Sequence, residues 1–386
     1  MKNHFPMRRD TVWVMAIICA FAVANLYYNQ PLLAQIGQSF QVSAQQAGFI
    51  PMFTQIGYAV GMFLFVPLGD LMERRKLIVT MLAATACALL AAAVSPSLTW
   101  LVVASLVIGM TTIVAQLIIP FAAQLSLPQE RGKVVGTVMS GLFIGILLAR
   151  TVSGFIGARF GWQGMYWIAG GLMIVLACSA SVLLPYCQPQ IKMSYGRLMQ
   201  SLFGLVRSQP ILREASIIGA MSFGAFSAFW STLVFLLESP PYHYGSEVAG
   251  LFGLVGVVGA AAAPVVGRLA DRKSPRLTVA LGIAITTSSF FVFWLFGHQL
   301  WGLIVGVILL DLGVQATLVS NQTRIYSLPS EIHNRLNAVY IMSYFAGGAI
   351  GSFLGAYGWS IWQWHGVCAV GLLMLVVAIA IFAWRA

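Results

Sequence analysis

Long runs of apolar residues, separated by short polar segments, dominate the pattern of this 386-residue chain. A helix needs about 20 apolar residues to cross the hydrocarbon core of a bilayer. The runs lack the ten-residue alternation of a membrane barrel, so they favour helices. The pattern predicts twelve spans, at residues 11–36, 46–69, 77–95, 98–124, 135–157, 163–184, 214–237, 247–267, 277–297, 301–323, 335–357 and 363–384.

Polar clusters between these runs recur at a constant offset. The segment Pro67-Leu-Gly-Asp-Leu-Met-Glu-Arg-Arg-Lys76 matches Gly267-Arg-Leu-Ala-Asp-Arg-Lys-Ser-Pro-Arg276, and Ser126-Leu-Pro-Gln-Glu130 matches Ser327-Leu-Pro-Ser-Glu331. An offset of about 200 residues indicates two copies of one large unit rather than a solenoid of short repeats. Duplicated halves in an apolar chain are typical of secondary transporters, whose substrate site lies where the halves meet.

The longest polar interval, residues 185–213, divides the chain between these halves. Within it, apolar residues recur at helical spacing from Leu198 to Val206, which predicts a short helix in the membrane interface. The predicted fold is therefore an all-α integral membrane protein with two pseudo-symmetric six-helix bundles. These bundles would occupy residues 1–184 and 214–386, joined by a cytoplasmic linker.

Charge fixes the expected orientation. Only 8% of the residues are charged, against about 25% in a soluble domain, and the net charge is +11. If the N-terminus is cytoplasmic, all but two of the 21 Lys and Arg residues fall in cytoplasmic segments, the exceptions being Arg150 and Arg159. This asymmetry predicts that both termini are cytoplasmic. The basic charge then reflects orientation in the bilayer, and no nucleic-acid partner is expected.

Several chemistries have no support in the sequence. The five cysteines and five histidines show no metal-ligand spacing, and no Gly-Lys-Ser/Thr phosphate loop or nucleophile–base set is visible. We therefore expect no enzyme activity, no ATP hydrolysis, no metal and no cofactor.

The two aspartate-centred clusters resemble the loop signature of the major facilitator superfamily. The second copy matches that signature at Gly267, Asp271, Arg272 and Arg276, whereas the first has Val66 where a glycine is expected. The chain looks most like the twelve-span drug and metabolite efflux group, and Asn25-Leu-Tyr-Tyr-Asn-Gln-Pro-Leu-Leu33 is similar to a first-span signature of one bacterial branch. The resemblance implies a monomer in the bacterial inner membrane that exchanges a small molecule for protons. It also implies that the loop clusters act as a gate, formed by Asp70, Arg74, Arg75, Asp271 and Arg272.

Two positions depart from the efflux group. Ser105 stands where span four often carries an arginine, and the span-five antiporter motif reads Gly145-Ile-Leu-Leu-Ala-Arg-Thr-Val-Ser-Gly154. In that motif Ala149-Arg150 replaces Gly-Pro. The departures leave transport as the expected function but weaken the inference of proton antiport.

Asp311 and Arg150 are the charges expected deep within spans. An intramembrane carboxylate costs about 2.5–3.5 kcal/mol on insertion scales, so it faces a cavity or a partner. From the predicted span ends, Arg150 would lie about 10 Å deep and Asp311 about 15 Å. The two could form a cross-half pair that binds an anion or opens when Asp311 takes a proton. The alternatives are a structural ion pair, a buried protonated Asp311, and an Arg150 that satisfies backbone carbonyls within its own half.

Polar and aromatic side chains also cluster in spans one, four, seven and ten, which line the cavity in this superfamily. Amides, phenols and an indole ring suit a small polar or amphipathic ligand. The candidate substrate-binding residues are Asn25, Tyr28, Gln30, Gln116, Arg150, Phe226, Trp230, Asp311 and Gln315.

The sequence thus favours a secondary transporter that exports a small organic compound by alternating access, driven by proton antiport. An importer or uniporter of a small metabolite or organic anion remains open, as does a non-transporting membrane sensor. The expected partners are the substrate, protons and the lipid bilayer.

Overall fold

The computed structural model describes residues 9–127, 129–187, 195–271, 275–329 and 332–384. Within these ranges the chain forms helices joined by short turns, and no strand occurs. The prediction of an all-α fold is confirmed. The helices of the first half are α1 (Arg9–Ala24), α2 (Leu33–Phe40), α3 (Ala44–Ala47), α4 (Phe49–Phe65), α5 (Leu68–Leu71), α6 (Arg74–Ala93), α7 (Leu98–Thr111), α8 (Val114–Leu125) and α9 (Arg131–Leu183). Those that follow are α10 (Tyr195–Ser208), α11 (Pro210–Glu238), α12 (Ser246–Asp271), α13 (Pro275–Phe296), α14 (Leu300–Ile325) and α15 (His333–Trp384).

Eight helical segments of the described chain are long and apolar enough to cross a membrane. Two of them, α9 and α15, have 53 and 52 residues and are interrupted by non-helical backbone at Gly161 and at Trp362–Gln363. Each is long enough to cross a bilayer twice. Two further apolar helices, Asp10–Ala24 and Ser246–Gly259, are shorter. The count of twelve spans therefore stays a prediction.

The first predicted span is not one continuous helix. α1 ends at Ala24, turns cover the next residues, and a 3₁₀ turn at Gln30–Leu32 leads into α2. Pro31 lacks a backbone N–H, and its ring would clash with the carbonyl four residues earlier in an α-helix. The helix within the span predicted over 11–36 is therefore interrupted, and residues 25–30, at the break, are buried in the protein interior.

The helices repeat along the chain as the sequence clusters do. α6 and α13, α7 and α14, and α9 and α15 begin at positions whose separation matches the cluster repeat to within one residue. α10 lies in the polar interval between the halves, and α11 begins at Pro210, four residues before the predicted start of the second half. We call α1–α9 the first half and α11–α15 the second half.

The two halves are joined at one end of the bundle. We call the end at which α6 and α13 begin the basic end, and the other the opposite end. Two hydrogen bonds join the halves near the opposite end. Gln35 Nε2 donates to Ser246 Oγ (3.0 Å), and Gln38 Nε2 donates to Glu238 Oε2 (3.0 Å). Gln55 Nε2 donates to Ser352 Oγ at 2.9 Å, closer to mid-depth.

At the basic end, a cavity of about 90 Å³ lies between the halves. Its lining includes Arg74 and Gln116 from the first half and Asn337 from the second. The bundle is therefore closed at the opposite end and indented at the basic end.

Candidate functional site

Arg150 and Asp311 both lie deep in the bundle. α9 runs helically from Arg131 to the break at Gly161, and α14 begins at Leu300. Counted along its own helix, each residue is about 16 Å from the helix end that lies at the opposite end of the bundle. Both side chains are buried, with 2% and 4% exposed.

Arg150 is held by an amide and by aromatic rings. Its Nε donates to Gln30 Oε1 at 2.6 Å, a contact made possible by the break in the first span. Its guanidinium carbon lies 4.0 Å from the centroid of the Trp230 ring and 4.8 Å from that of Tyr27. The centroid of the Phe226 ring lies 5.5 Å from the same guanidinium carbon. Desolvated cation–π contacts of this kind each contribute up to about 2 kcal/mol.

The glycines of α12 bring this arginine and Asp311 to one surface. A Cβ atom placed on Gly253 would lie 3.1 Å from Arg150 Cβ, and one placed on Gly256 would lie 3.0 Å from Asp311 Oδ2. Gly253 and Gly256 are three residues apart on the helix, so they share a face. α12 therefore packs between α9 and α14, with the two charges against neighbouring positions of its small-residue face.

Arg150 and Asp311 do not form a contact ion pair. Among the described residues, the ion pair within 4.0 Å is Arg324–Glu214, at 2.8 Å and within the second half. Arg150 and Asp311 interact electrostatically over a longer distance. The cross-half pair expected from the sequence stays a prediction, since Gln30 and Trp230 hold the guanidinium in this structure. The bond to the Gln30 side chain lies within the first half, but it is not one of the backbone carbonyls that the alternative interpretation expects.

Three polar atoms at this site are buried without a hydrogen-bond partner among the described residues. They are Arg150 Nη2, Trp230 Nε1 and Asp311 Oδ2. The cavity beside Arg150 and Trp230 measures about 10 Å³, roughly the room that one water requires. A larger ligand therefore needs these side chains, or the halves, to move apart.

An aromatic wall leads from this site toward the basic end. Phe226 lies 6.0 Å from Trp230, Phe223 lies 5.5 Å from Phe226, and Tyr344 stacks on Phe223 at 4.0 Å, all between ring centroids. Tyr58 of the first half faces Phe345 of the second at 4.3 Å. We define the aromatic wall as Tyr58, Phe223, Phe226, Trp230, Tyr344 and Phe345.

The other predicted binding residues, Asn25, Tyr28, Gln116 and Gln315, have partners or positions away from the Arg150 side chain. Asn25 Nδ2 donates to Ala22 O at 3.1 Å, and Ser153 Oγ donates to the backbone oxygen of Tyr28. Gln116 Nε2 donates to Tyr58 Oη at 3.2 Å, where the aromatic wall reaches the cavity at the basic end. Gln315 is half-buried on α14, one turn beyond Asp311. Gln30, Phe226 and Trp230 are thus the predicted residues in contact with Arg150.

The predicted gate residues are only partly described. Arg74 Nε donates to Gly69 O at 2.9 Å, and Arg75 Nη1 donates to Leu184 O at 3.2 Å, within the first half. The side chains of Asp70 and Asp271, and all of Arg272, lie outside the described residues. The gate therefore stays a prediction.

Sequence reasoning missed Tyr27, Tyr58, Phe223, Tyr344 and Phe345. Tyr27 contacts Arg150 and precedes the predicted Tyr28, but a continuous helix would have placed it on another face. The available signal was Pro31, which breaks the helix. The other four are aromatic residues on apolar helices, and nothing in their spacing separates them from ordinary packing residues.

Comparison with known proteins agrees with this fold. The family model of the Major Facilitator Superfamily matches residues 12–329. The uncharacterized transporter YgaY of Escherichia coli O157:H7 is 42% identical over 100% of this chain and 97% of its own length. A Streptomyces coelicolor protein named as a transporter is 34% identical over 94% of this chain and 85% of its own length.

The solved structure of the nucleoside transporter NupG is similar with a TM-score of 0.77 at 15% identity. The match covers 97% of this chain and 99% of that one. The fold and these relatives define a membrane transporter. The chain belongs to the Major Facilitator Superfamily.

Proposed function

We propose that this transporter exports a small organic compound in exchange for protons. The observation that supports the proposal is the pair of buried opposite charges, Arg150 and Asp311, deep between the halves and without an ion-pair contact between them. A carboxylate with an unpartnered oxygen in a buried site can take up a proton, and doing so removes its attraction for the arginine. The charge state of Asp311 then alters the interaction between the halves.

Export is favoured by one relative as well as by the resemblance of the sequence. A protein of Pasteurella multocida named as a sugar efflux transporter is 22% identical over 95% of this chain. We further propose that the protein acts as a monomer in the bacterial inner membrane with both termini in the cytoplasm. In that orientation the cavity at the basic end faces the cytoplasm, where an exporter loads its substrate.

We also propose that Asp70, Arg74, Arg75, Asp271 and Arg272 close the basic end during the transport cycle. Arg74 of the first half and Asn337 of the second line the same cavity there, which supports this assignment. Closure would bring the two loop clusters together after the substrate is loaded.

The test is flux in proteoliposomes with an imposed proton gradient, over a panel of drugs, sugars and amino acids. Asp311→Asn is expected to abolish gradient-driven transport while leaving downhill exchange, because the amide resembles the protonated acid. Glu130→Gln, which changes an exposed carboxylate, is the matched control and should keep gradient-driven transport. Full gradient-driven transport by Asp311→Asn would contradict the proposal.

A further inference from the structure

The chemistry of the three unpartnered polar atoms narrows the class of substrate, given the transport function proposed above. Arg150 Nη2 and Trp230 Nε1 are N–H donors, and the Trp230 ring lies directly against the guanidinium. Asp311 Oδ2 is an acceptor. Two donors beside a positive charge suit the two oxygens of a carboxylate, whereas a carboxylate acceptor suits a protonated amine.

We infer that the site between Arg150 and Asp311 binds a zwitterion, a small molecule that carries both a carboxylate and a protonated amine. The carboxylate would accept hydrogen bonds from Arg150 Nη2 and Trp230 Nε1. The amine would donate to Asp311 Oδ2.

A ligand with one charge is a poorer match for this arrangement. A simple anion would bind Arg150 but would meet repulsion from Asp311, and a simple cation would meet the reverse. Each would also leave one buried charge of the protein uncompensated, which is costly in a low-dielectric interior. A zwitterion compensates both charges and adds no net charge to the buried site.

The geometry holds the two protein charges apart for such a ligand. Gln30 and the rings of Trp230 and Tyr27 fix the guanidinium, so it does not move to Asp311. Gly253 lies against the Cβ atom of Arg150 and Gly256 against the carboxylate of Asp311, so the two residues flank neighbouring positions of α12 and yet form no ion pair within 4.0 Å. A molecule whose carboxylate and amine are a few bonds apart can bridge two charges that are near each other but not in contact.

The aromatic wall indicates what the rest of the ligand can be. Phe226 and Trp230 are among the rings nearest to Arg150, and the wall continues past Phe223 toward the basic end. An apolar or aromatic substituent on the zwitterion would pack along these rings.

The experiment compares matched triplets of probes on the purified full-length protein in detergent. L-Phenylalanine is compared with 2-phenylethylamine, which lacks the carboxylate, and with 3-phenylpropionate, which lacks the amine. L-Leucine is compared with 3-methylbutylamine and 4-methylpentanoate, and γ-aminobutyrate with propylamine and butanoate. Binding is measured from the ligand-dependent rise in Tm.

At least one zwitterion should bind about tenfold or more tightly than both of its single-charge analogues. Equal or tighter binding by the analogues would overturn the inference, as would the absence of binding by all three zwitterions. Arg150→Gln should remove the preference of the zwitterion over its amine analogue. Asp311→Asn should remove its preference over the carboxylate analogue. If both variants keep the wild-type preference, the zwitterion binds elsewhere and the assignment of this site is wrong.

Failure here is separable from failure of the proposed coupling. If a zwitterion binds as expected but a proton gradient does not drive its flux, proton antiport fails and the substrate class stands. If a gradient drives flux of a compound with one charge while the zwitterions do not bind, the substrate class fails and the coupling stands.

Discussion

At the scale of single residues, the position of Arg150 depends on the planar shape of its side chain. The guanidinium stacks on Trp230 while its Nε–H donates to Gln30. An ammonium group is compact and cannot present a flat face and a directed Nε–H at once. The role of this residue therefore depends on geometry as well as on charge.

Arg150→Lys is expected to lose transport although it keeps the positive charge. The lost stacking and hydrogen bond should also lower stability by about 1–2 kcal/mol, seen as a lower Tm in detergent. Arg159→Lys is the matched control, since Arg159 is exposed on the same helix and should tolerate the change in both assays. Normal flux and Tm in Arg150→Lys would mean that charge alone is sufficient.

At the scale of elements, the glycines of α12 let this helix pack closely against α9 of the first half and α14 of the second. Gly250 lies against the backbone of Arg150 and Gly154 on α9, and Gly259 lies against the backbone of Ile308 on α14. Residues without side chains let helix backbones pack closely within a membrane. Successive three-residue steps carry these glycines around α12, so that Gly250 and Gly253 meet α9 whereas Gly256 and Gly259 meet α14.

The two glycines of α12 that meet α14, Gly256 and Gly259, should differ in their response to substitution by alanine. Gly259→Ala places a methyl group against backbone, so we expect a destabilisation of about 1–3 kcal/mol from overpacking. Gly256→Ala presses on the Asp311 carboxylate, a side chain that can shift, so flux should fall more than Tm. Gly136→Ala, which has open space around it, is the control and should change neither. If Gly259→Ala and Gly256→Ala lower Tm and flux to the same extent, the expected difference between the two positions is contradicted.

The elements also show which features of the fold and site can be predicted from the sequence. Apolar run lengths and the repeat predicted the helical halves, and the rarity of intramembrane charge singled out Arg150 and Asp311. The break at Pro31 was not anticipated because the apolar run continues through it, so Tyr27 was missed. The separation of the two charges depends on Gln30 and Trp230, which are distant in sequence from both. Such side-chain competition appears only once the helices are packed.

At the scale of the whole molecule, the end of the bundle that carries the basic loops is also the end that carries the cavity between the halves. The hydrogen bonds from Gln35 and Gln38 join the halves at the opposite end. With the orientation predicted from charge, the cavity of about 90 Å³ lies on the cytoplasmic side of the bundle.

Single cysteines in a variant without the five native ones test that orientation. His298→Cys lies exposed at the opposite end, and Arg131→Cys lies exposed at the basic end. A membrane-impermeant thiol reagent should label the first and not the second in intact cells, with the pattern reversed in inside-out vesicles. Labelling of Arg131→Cys from outside intact cells would invert the predicted topology.

The depth at which Arg150 and Asp311 are buried has an electrical consequence. At about 16 Å in a hydrocarbon core about 30 Å thick, the site lies near the middle of the membrane. A charge that reaches it from either side crosses about half of the membrane potential, equivalent to about 1.2 kcal/mol at 100 mV. Exchange of one proton for a molecule without net charge would move one charge per cycle. The voltage across the membrane, and not only the pH difference, would then drive export.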